Sequence, residues 1–258
     1  MASGSHLMSE ERRRSILDLV SRDGRVLVKS LASDFRISEV TIRQDLEMLH
    51  QRGLVQRIHG GALLLRTALL DPSLREKEKV NRKEKQRIAE AAARQVKEGQ
   101  SVMLGSGSTT TAVARALREF KQLTIITNAL NIGAELAGTA IEVVLTGGIL
   151  RENSFSLVGP LAEEMLLRLG ADVLFLGADG VDFHRGSFTP NAFEASIQRV
   201  MMKIARRTII VCDSSKFGSR SLSLVAPIAE IRELITDKRA SKTDLHGFEK
   251  AGVKVMLV

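Results

Sequence analysis

The chain has 258 residues, 44% of them hydrophobic, enough to bury the core of one ordinary domain and a smaller one, which excludes a largely disordered chain. A formal charge of +8 favours a polyanionic partner, while the absence of Trp and Tyr argues against the base-stacking platforms of single-strand or RNA binders. With one cysteine, no export signal and no apolar run of membrane-spanning length, the expectation is a cytoplasmic protein without a membrane partner.

Residues 1–7 (MASGSHL) read as an expression-tag scar and are set aside. From Ser9 a helix is predicted with Ile16, Leu17, Leu19 and Val20 on one side, Ser9 as cap and Glu10 and Glu11 in its first turn. Asp23-Gly24 stops it. A second short helix over 28–34 brings Leu31, Ala32 and Phe35 to the core. After the link Arg36-Ile37, Ser38 caps a third helix, EVTIRQDLEMLHQR, in which Ile42, Leu46 and Leu49 point inward and which Gly53 ends. The run LVQRIHGGALL then predicts two short strands, 54–55 and 57–59, with Gly60-Gly61 breaking their pairing. This order is that of a winged helix-turn-helix, placed at residues 8–62.

The outward residues of the third helix are Val40, Arg43, Gln44 and Glu47. Arg43 suits guanine O6/N7 and Gln44 suits adenine N6/N7, so these two are the expected base readers of a double-stranded operator. Ser38 and Thr41 offer hydroxyls to phosphate; Arg57 and His59 on the wing, with Arg12 to Arg14 on the first helix, add phosphate contacts.

Residues 63–85, with the run REKEKVNRKEK, are expected to form a linker, followed by an effector-sensing domain at 86–258. A helix over 84–97 shows Ile88, Ala92 and Val96 on one face. Apolar runs at 102–104, 123–127, 141–146, 172–177, 208–212, 233–236 and 253–258 then alternate with helical stretches. The fold class is therefore α/β, with a mostly parallel sheet covered on both faces. Cys212 lies in one of these runs and is expected to be an inert core residue.

Ligands of such sheets bind at the carboxyl ends of the strands. After the first strand, Ser106, Gly107, Ser108, Thr109 and Thr110 combine close backbone approach, hydroxyls and a helix start, which suits a phosphate. The turn is neither a Walker loop nor a dinucleotide fingerprint, and no cofactor is expected. Asn128, Gly147, Gly148, Asp179 and Lys216 sit in the other strand-end loops; Lys216 can neutralise a phosphate, and Asp179 and Asn128 can bond sugar hydroxyls. His184 is either an acid-base group or, more commonly for such a position, a solvated loop histidine; His50 and His246 lack metal-ligand spacing.

The segment ISEVTIRQDLEMLHQRGLVQRIHGGA resembles the signature of the DeoR/GlpR family of bacterial repressors, with Gln44 where that family commonly has a second Arg. The pieces EKQRIAEAA, SGSTTT, ITNALNIG, LTGG, LFLGADGVD and DSSKFG resemble its sensor domain, in particular the amino-sugar branch, so the resemblance runs from Glu10 onward. It implies a repressor, dimeric or tetrameric, that a phosphorylated sugar releases from DNA, with a sensor domain similar to ribose-5-phosphate isomerase. A sugar-phosphate isomerase or deaminase is the alternative. Against it, Leu176 stands where the isomerase pattern has its first Asp and the Lys-Gly-Gly-Gly run is absent; Asp179, Asp182 and Glu194 are then more suited to binding hydroxyls than to catalysis. Gly105 likewise replaces the Asp that usually precedes the Ser-Gly turn.

Overall fold

Helices and a small ribbon make up the first part of the chain, and a computed structural model describes residues 9–51, 54–58, 60–64 and 71–258. The expectations for residues 1–7, Gly53 and His59 lie outside the described residues. The chain divides into two units, Met1–Thr67 and Ala68–Val258.

The first unit runs α1 (Ser9–Asp23), β1 (Arg25–Leu27), α2 (Val28–Phe35), α3 (Glu39–Gln51), β2 (Val55–Ile58) and β3 (Gly61–Leu64). Ile16, Val20, Leu31, Ile42, Leu46, Leu49 and Val55 close its core. Arg36 adopts a left-handed conformation (φ 54°) and Ile37 N–H bonds the Ala32 carbonyl at 3.1 Å, which ends α2 and turns the chain into α3. The ribbon departs from its predicted form. Gly60 (φ 80°) makes the turn, but Gly61 belongs to β3, which lies between β2 and an unforeseen strand, β1. A Cβ on Gly61 would fall 2.1 Å from the Val26 carbonyl oxygen, so glycine there permits the third strand rather than breaking the pair.

The second unit opens with α4 (Leu74–Lys79) and α5 (Arg82–Ala93), so ordered helix occupies much of the stretch expected as linker. The Ser73–Glu76 capping box starts α4, a local signal inside what looks like an undifferentiated charge run. There follow β4 (Ser101–Leu104), α6 (Ser108–Leu117), β5 (Thr124–Thr127), α7 (Leu130–Leu136), β6 (Glu142–Leu145), the hairpin β7 (Ile149–Arg151) and β8 (Ser156–Val158), and α8 (Pro160–Leu166). Next come β9 (Val173–Leu176), β10 (Gly180–Asp182), β11 (Gly186–Thr189), α9 (Ala192–Ile204), β12 (Thr208–Val211), a 3-10 turn (Ser214–Lys216), β13 (Ser223–Pro227), a second such turn (Ile228–Glu230), β14 (Glu233–Thr236), α10 (Lys242–Lys250) and β15 (Lys254–Leu257).

The seven predicted strands form one sheet in the order β15-β14-β12-β9-β4-β5-β6, and every neighbouring pair is parallel. Alternate strand residues serve opposite faces. Leu104, Ile125, Phe175 and Val211 pack with α5, α6 and α7, while Met103, Ile126, Leu174 and Cys212 pack with α8, α9 and α10. The central strands are dry on both faces, which is why they read as unbroken apolar runs, while the edge strands β6 and β15 stay partly exposed. Cys212 is buried, and burial pushes its thiol well above the ordinary range, as befits an inert core residue. The chain proceeds outward from β4 through β5 to β6, then returns to lay β9 on the other side of β4. The crevice between the carboxyl ends of β4 and β9 is thus the topological switch point.

Candidate functional site

In the first unit the helix α3 is held from two sides. Asp45, 2% exposed, accepts from Arg12 Nε at 2.6 Å and from Arg13 Nε at 2.9 Å, tying α3 to α1. Arg57 Nη1 donates to the Arg43 carbonyl at 2.9 Å, tying β2 to the same helix. Arg12, Arg13 and Arg57 are thus each engaged with α3, where an interior carboxylate and a helix carbonyl take up their donors. Ser38 caps α3 through its Oγ, which accepts from Thr41 N–H at 3.1 Å and lies 2.9 Å from Thr41 Oγ1. Arg43 and Gln44 face outward, with Arg43 Nη2 donating to Glu39 Oε2 at 2.6 Å. His50 Nδ1 lies 2.9 Å from the Val55 carbonyl oxygen and serves the α3–β2 join.

In the second unit a small cleft, partly open to solvent, lies at the switch point. Its walls include Ser106, Gly107, Ser108 and Thr109 from the β4–α6 turn, Gly177, Ala178 and Asp179 after β9, Glu194 and Gln198 on α9, Lys216 after β12, Ser154, and Leu74 and Lys77 of α4. No side chain caps α6, whose N-cap residue is Gly107, so its first amides have no capping side chain as acceptor. Thr110 does not join them: it is buried, and its hydroxyl donates to the Gly107 carbonyl at 2.9 Å.

The acidic wall is already hydrogen-bonded as a ring. Lys77 Nζ lies 2.7 Å from Asp179 Oδ1 and 3.4 Å from Asp71 Oδ1; Arg151 bridges Asp71 (2.7 Å) and Glu194 (2.8 Å). Thr189 Oγ1 reaches both Asp179 and Glu194 at 3.2 Å, and Ser156 Oγ donates to Glu194 at 2.7 Å. Burial alone would raise the Asp179 carboxyl, but the charges of Lys77 and Lys216 and the bonds from Lys77 and Thr189 outweigh it and hold Asp179 below the usual carboxylate range. Burial would likewise lower the Lys77 ammonium, and Asp179, Asp71 and Glu194 raise it instead. Lys85, buried on α5, donates to the carbonyls of Lys77 and Val80 and so holds the end of α4; burial first, with Lys216 adding repulsion, brings its ammonium down to about 8 against the pull of Asp213. Lys216 differs from these two lysines: among the described residues no carboxylate lies within ion-pair distance of it.

Three further predicted residues stand outside the cleft. Asn128 is buried and donates to the Leu157 carbonyl at 3.2 Å, joining the end of β5 to β8. Gly147 and Gly148 follow β6 at the edge of the sheet, and a Cβ on Gly148 would lie 2.6 Å from the Val158 carbonyl oxygen, so its smallness serves the hairpin. Lys77 and Gln198 were not foreseen. Gln198 is four residues after Glu194 and so on the same helix face, a spacing that could have found it. Nothing local sets Lys77 apart from the other lysines of its charge run. His184 is exposed, the solvated case. Among the described residues no group of three or more His, Cys, Asp or Glu could hold a metal ion, and no helix is long and apolar enough to cross a membrane.

Gly105 and Leu176 prove to be one feature. A Cβ on Gly105 would lie 2.7 Å from Leu176 Cδ1, so the leucine fills the space that a larger residue at 105 would need. The two departures noted in the sequence are sterically coupled across the β4–β9 junction.

Comparison with known proteins agrees with this division. Residues 12–68 match the DeoR-like helix-turn-helix domain and residues 80–238 match the DeoR C terminal sensor domain. The chain is 38% identical to a putative aga operon transcriptional repressor of Escherichia coli O157:H7, over 97% of this chain and 94% of that protein. It is also 38% identical to the HTH-type transcriptional regulator GlpR of Haloferax volcanii, over 97% and 98% of the two chains. Ribose 5 phosphate isomerase A of Neisseria gonorrhoeae gives a partial structural likeness, with 22% identity, 53% of each chain covered and a TM-score of 0.40, from which no function follows. The relatives are regulators by name, and this chain is a regulator rather than the isomerase or deaminase of the alternative reading. The chain belongs to the DeoR family of DNA-binding transcriptional repressors.

Proposed function

We propose that this repressor occupies its operator as a homodimer or homotetramer and is released by a phosphorylated sugar bound in the switch-point cleft. The phosphate sits at the head of α6 against Ser106 to Thr109 with Lys216 as its counter-charge, and the sugar hydroxyls meet Asp179, Glu194 and Gln198. The observation that carries this reading is the combination of an uncapped helix N-terminus with a lysine that, among the described residues, has no carboxylate within ion-pair distance, both lining one cleft. Leu74 and Lys77 close the cleft from α4, which begins six residues after the unit boundary. A ligand that competes for Asp179 alters what holds α4, and its unequal affinity for the two arrangements sets the release.

On the DNA side, Arg43 and Gln44 read bases, and Ser38 and Thr41 with the first amides of α3 meet phosphate.

The test is a gel-shift titration of the full-length protein on duplexes enriched from a random pool, with sugars offered in phosphorylated and unphosphorylated form. The resemblance to the amino-sugar branch puts hexosamine phosphates first in the series. Release by a phosphorylated sugar and not by its parent sugar is the expected result; indifference to every sugar phosphate, in gel shift and in thermal midpoint, removes the sensing claim. Lys216→Ala is expected to keep operator affinity while blunting release, and a loss of folding would instead make Lys216 structural.

A further inference from the structure

The outward face of α3 has an apolar centre. At about 100° per residue, Val40 lies in the middle of the exposed arc, with Arg43 and Gln44 one turn on to either side, while the buried Ile42, Asp45, Leu46 and Leu49 occupy the opposite side. Val40 is 59% exposed, more than Leu27 (45%) or Met48 (38%), the other exposed large hydrophobics of this unit among the described residues. The fold gains little from it: a β-branched side chain in water on a helix surface is a poorer helix former than alanine and buries nothing. Three of its polar neighbours have partners within the protein. Ser38 and Thr41 bond one another at the cap, and Arg43 is drawn to Glu39, on the flank of the arc. The second residue of the helix therefore presents two bare methyl groups, at the end by which recognition helices meet base edges.

We propose that Val40 is a specificity-determining residue that packs against the C5 methyl of a thymine in the major groove, beside the base read by Arg43. Thymine is the base whose major-groove edge offers an apolar group, so a bare methyl pair between an Arg and a Gln selects it over cytosine. The assignment rests on α3 being the DNA-reading helix.

The test uses the full-length protein and duplexes enriched from a random pool, with each dT replaced singly by dU, which removes only the methyl. Wild type loses roughly 3- to 10-fold in affinity at one thymine of each half-site, the range for one apolar group returned to water. Val40→Ala binds the dT and dU duplexes alike, and Val40→Thr, which keeps one γ-methyl, retains the preference. Matched thermal midpoints of the variants show that folding is not the cause. Enrichment of a sequence with no methyl dependence at any thymine, or an undiminished preference in Val40→Ala, overturns the role of Val40 and leaves the reading helix standing. Failure to enrich any sequence overturns the reading helix itself.

Discussion

The two units put buried charge to opposite uses. In the first, the buried carboxylate Asp45 faces only protein: Arg12 and Arg13 satisfy it, and the result is a rigid seat for a helix whose working face points away. In the second, Asp179 and Glu194 are equally well bonded but border a cleft, so the same kind of network forms the wall of a binding site. Burial and ion pairing do not separate structure from function. What does is whether one side of the charged group borders protein or a void.

Asp45→Ala tests the closed network and carries the largest expected effect. It removes the buried acceptor that Arg12 and Arg13 share, leaving Arg13 only its surface pair with Glu10, and a loss of about 3–5 kcal/mol is expected, confined to the first of two unfolding transitions in denaturant. A loss below about 1 kcal/mol would reduce the clamp to a surface pair.

Lys85 tests the open side by pH. Its folded value of about 8 lies below that of the unfolded chain, so between the two the unfolded state binds more protons and stability rises with pH. Wild type is expected to gain on the order of 3 kcal/mol over Lys85→Met from below pH 8 to the ordinary lysine range. A difference independent of pH would mean that the buried ammonium carries no such cost.

Gly105→Ala probes the junction beneath the cleft. Overpacking against Leu176 is expected to cost about 1–3 kcal/mol, and Gly105→Ala combined with Leu176→Val to be more stable than the two single changes sum to. Strict additivity would uncouple the pair. Arg43→Ala should leave stability unchanged while costing about 1–3 kcal/mol of binding at one base position. An equal loss on random DNA would make Arg43 a phosphate contact.

Much of this was legible locally. The central parallel strands were readable because strands dry on both faces are continuous apolar runs, and the recognition helix because Ile42, Leu46 and Leu49 repeat at its period. β1 was not, since three residues with a single buried Val26 carry no periodicity and gain their hydrogen bonds from β3. The cleft was half readable. Its turn after β4 and the residues Asp179, Glu194 and Lys216 stood out by type, whereas Asn128, Gly147 and Gly148 were placed at it only because they too end strands.

The sequence by itself determined the three helices of the first unit, the order of the seven sheet strands along the chain and the family to which the chain belongs, because these follow from spacing along one segment at a time. Only the tertiary structure decided which strand ends meet, that Gly105 and Leu176 are complementary, that Lys77 of the supposed linker closes the cleft and that no carboxylate among the described residues lies within ion-pair distance of Lys216. Strand order, and with it the position of the switch point, arises from contacts between segments far apart in the chain, and no local pattern records them.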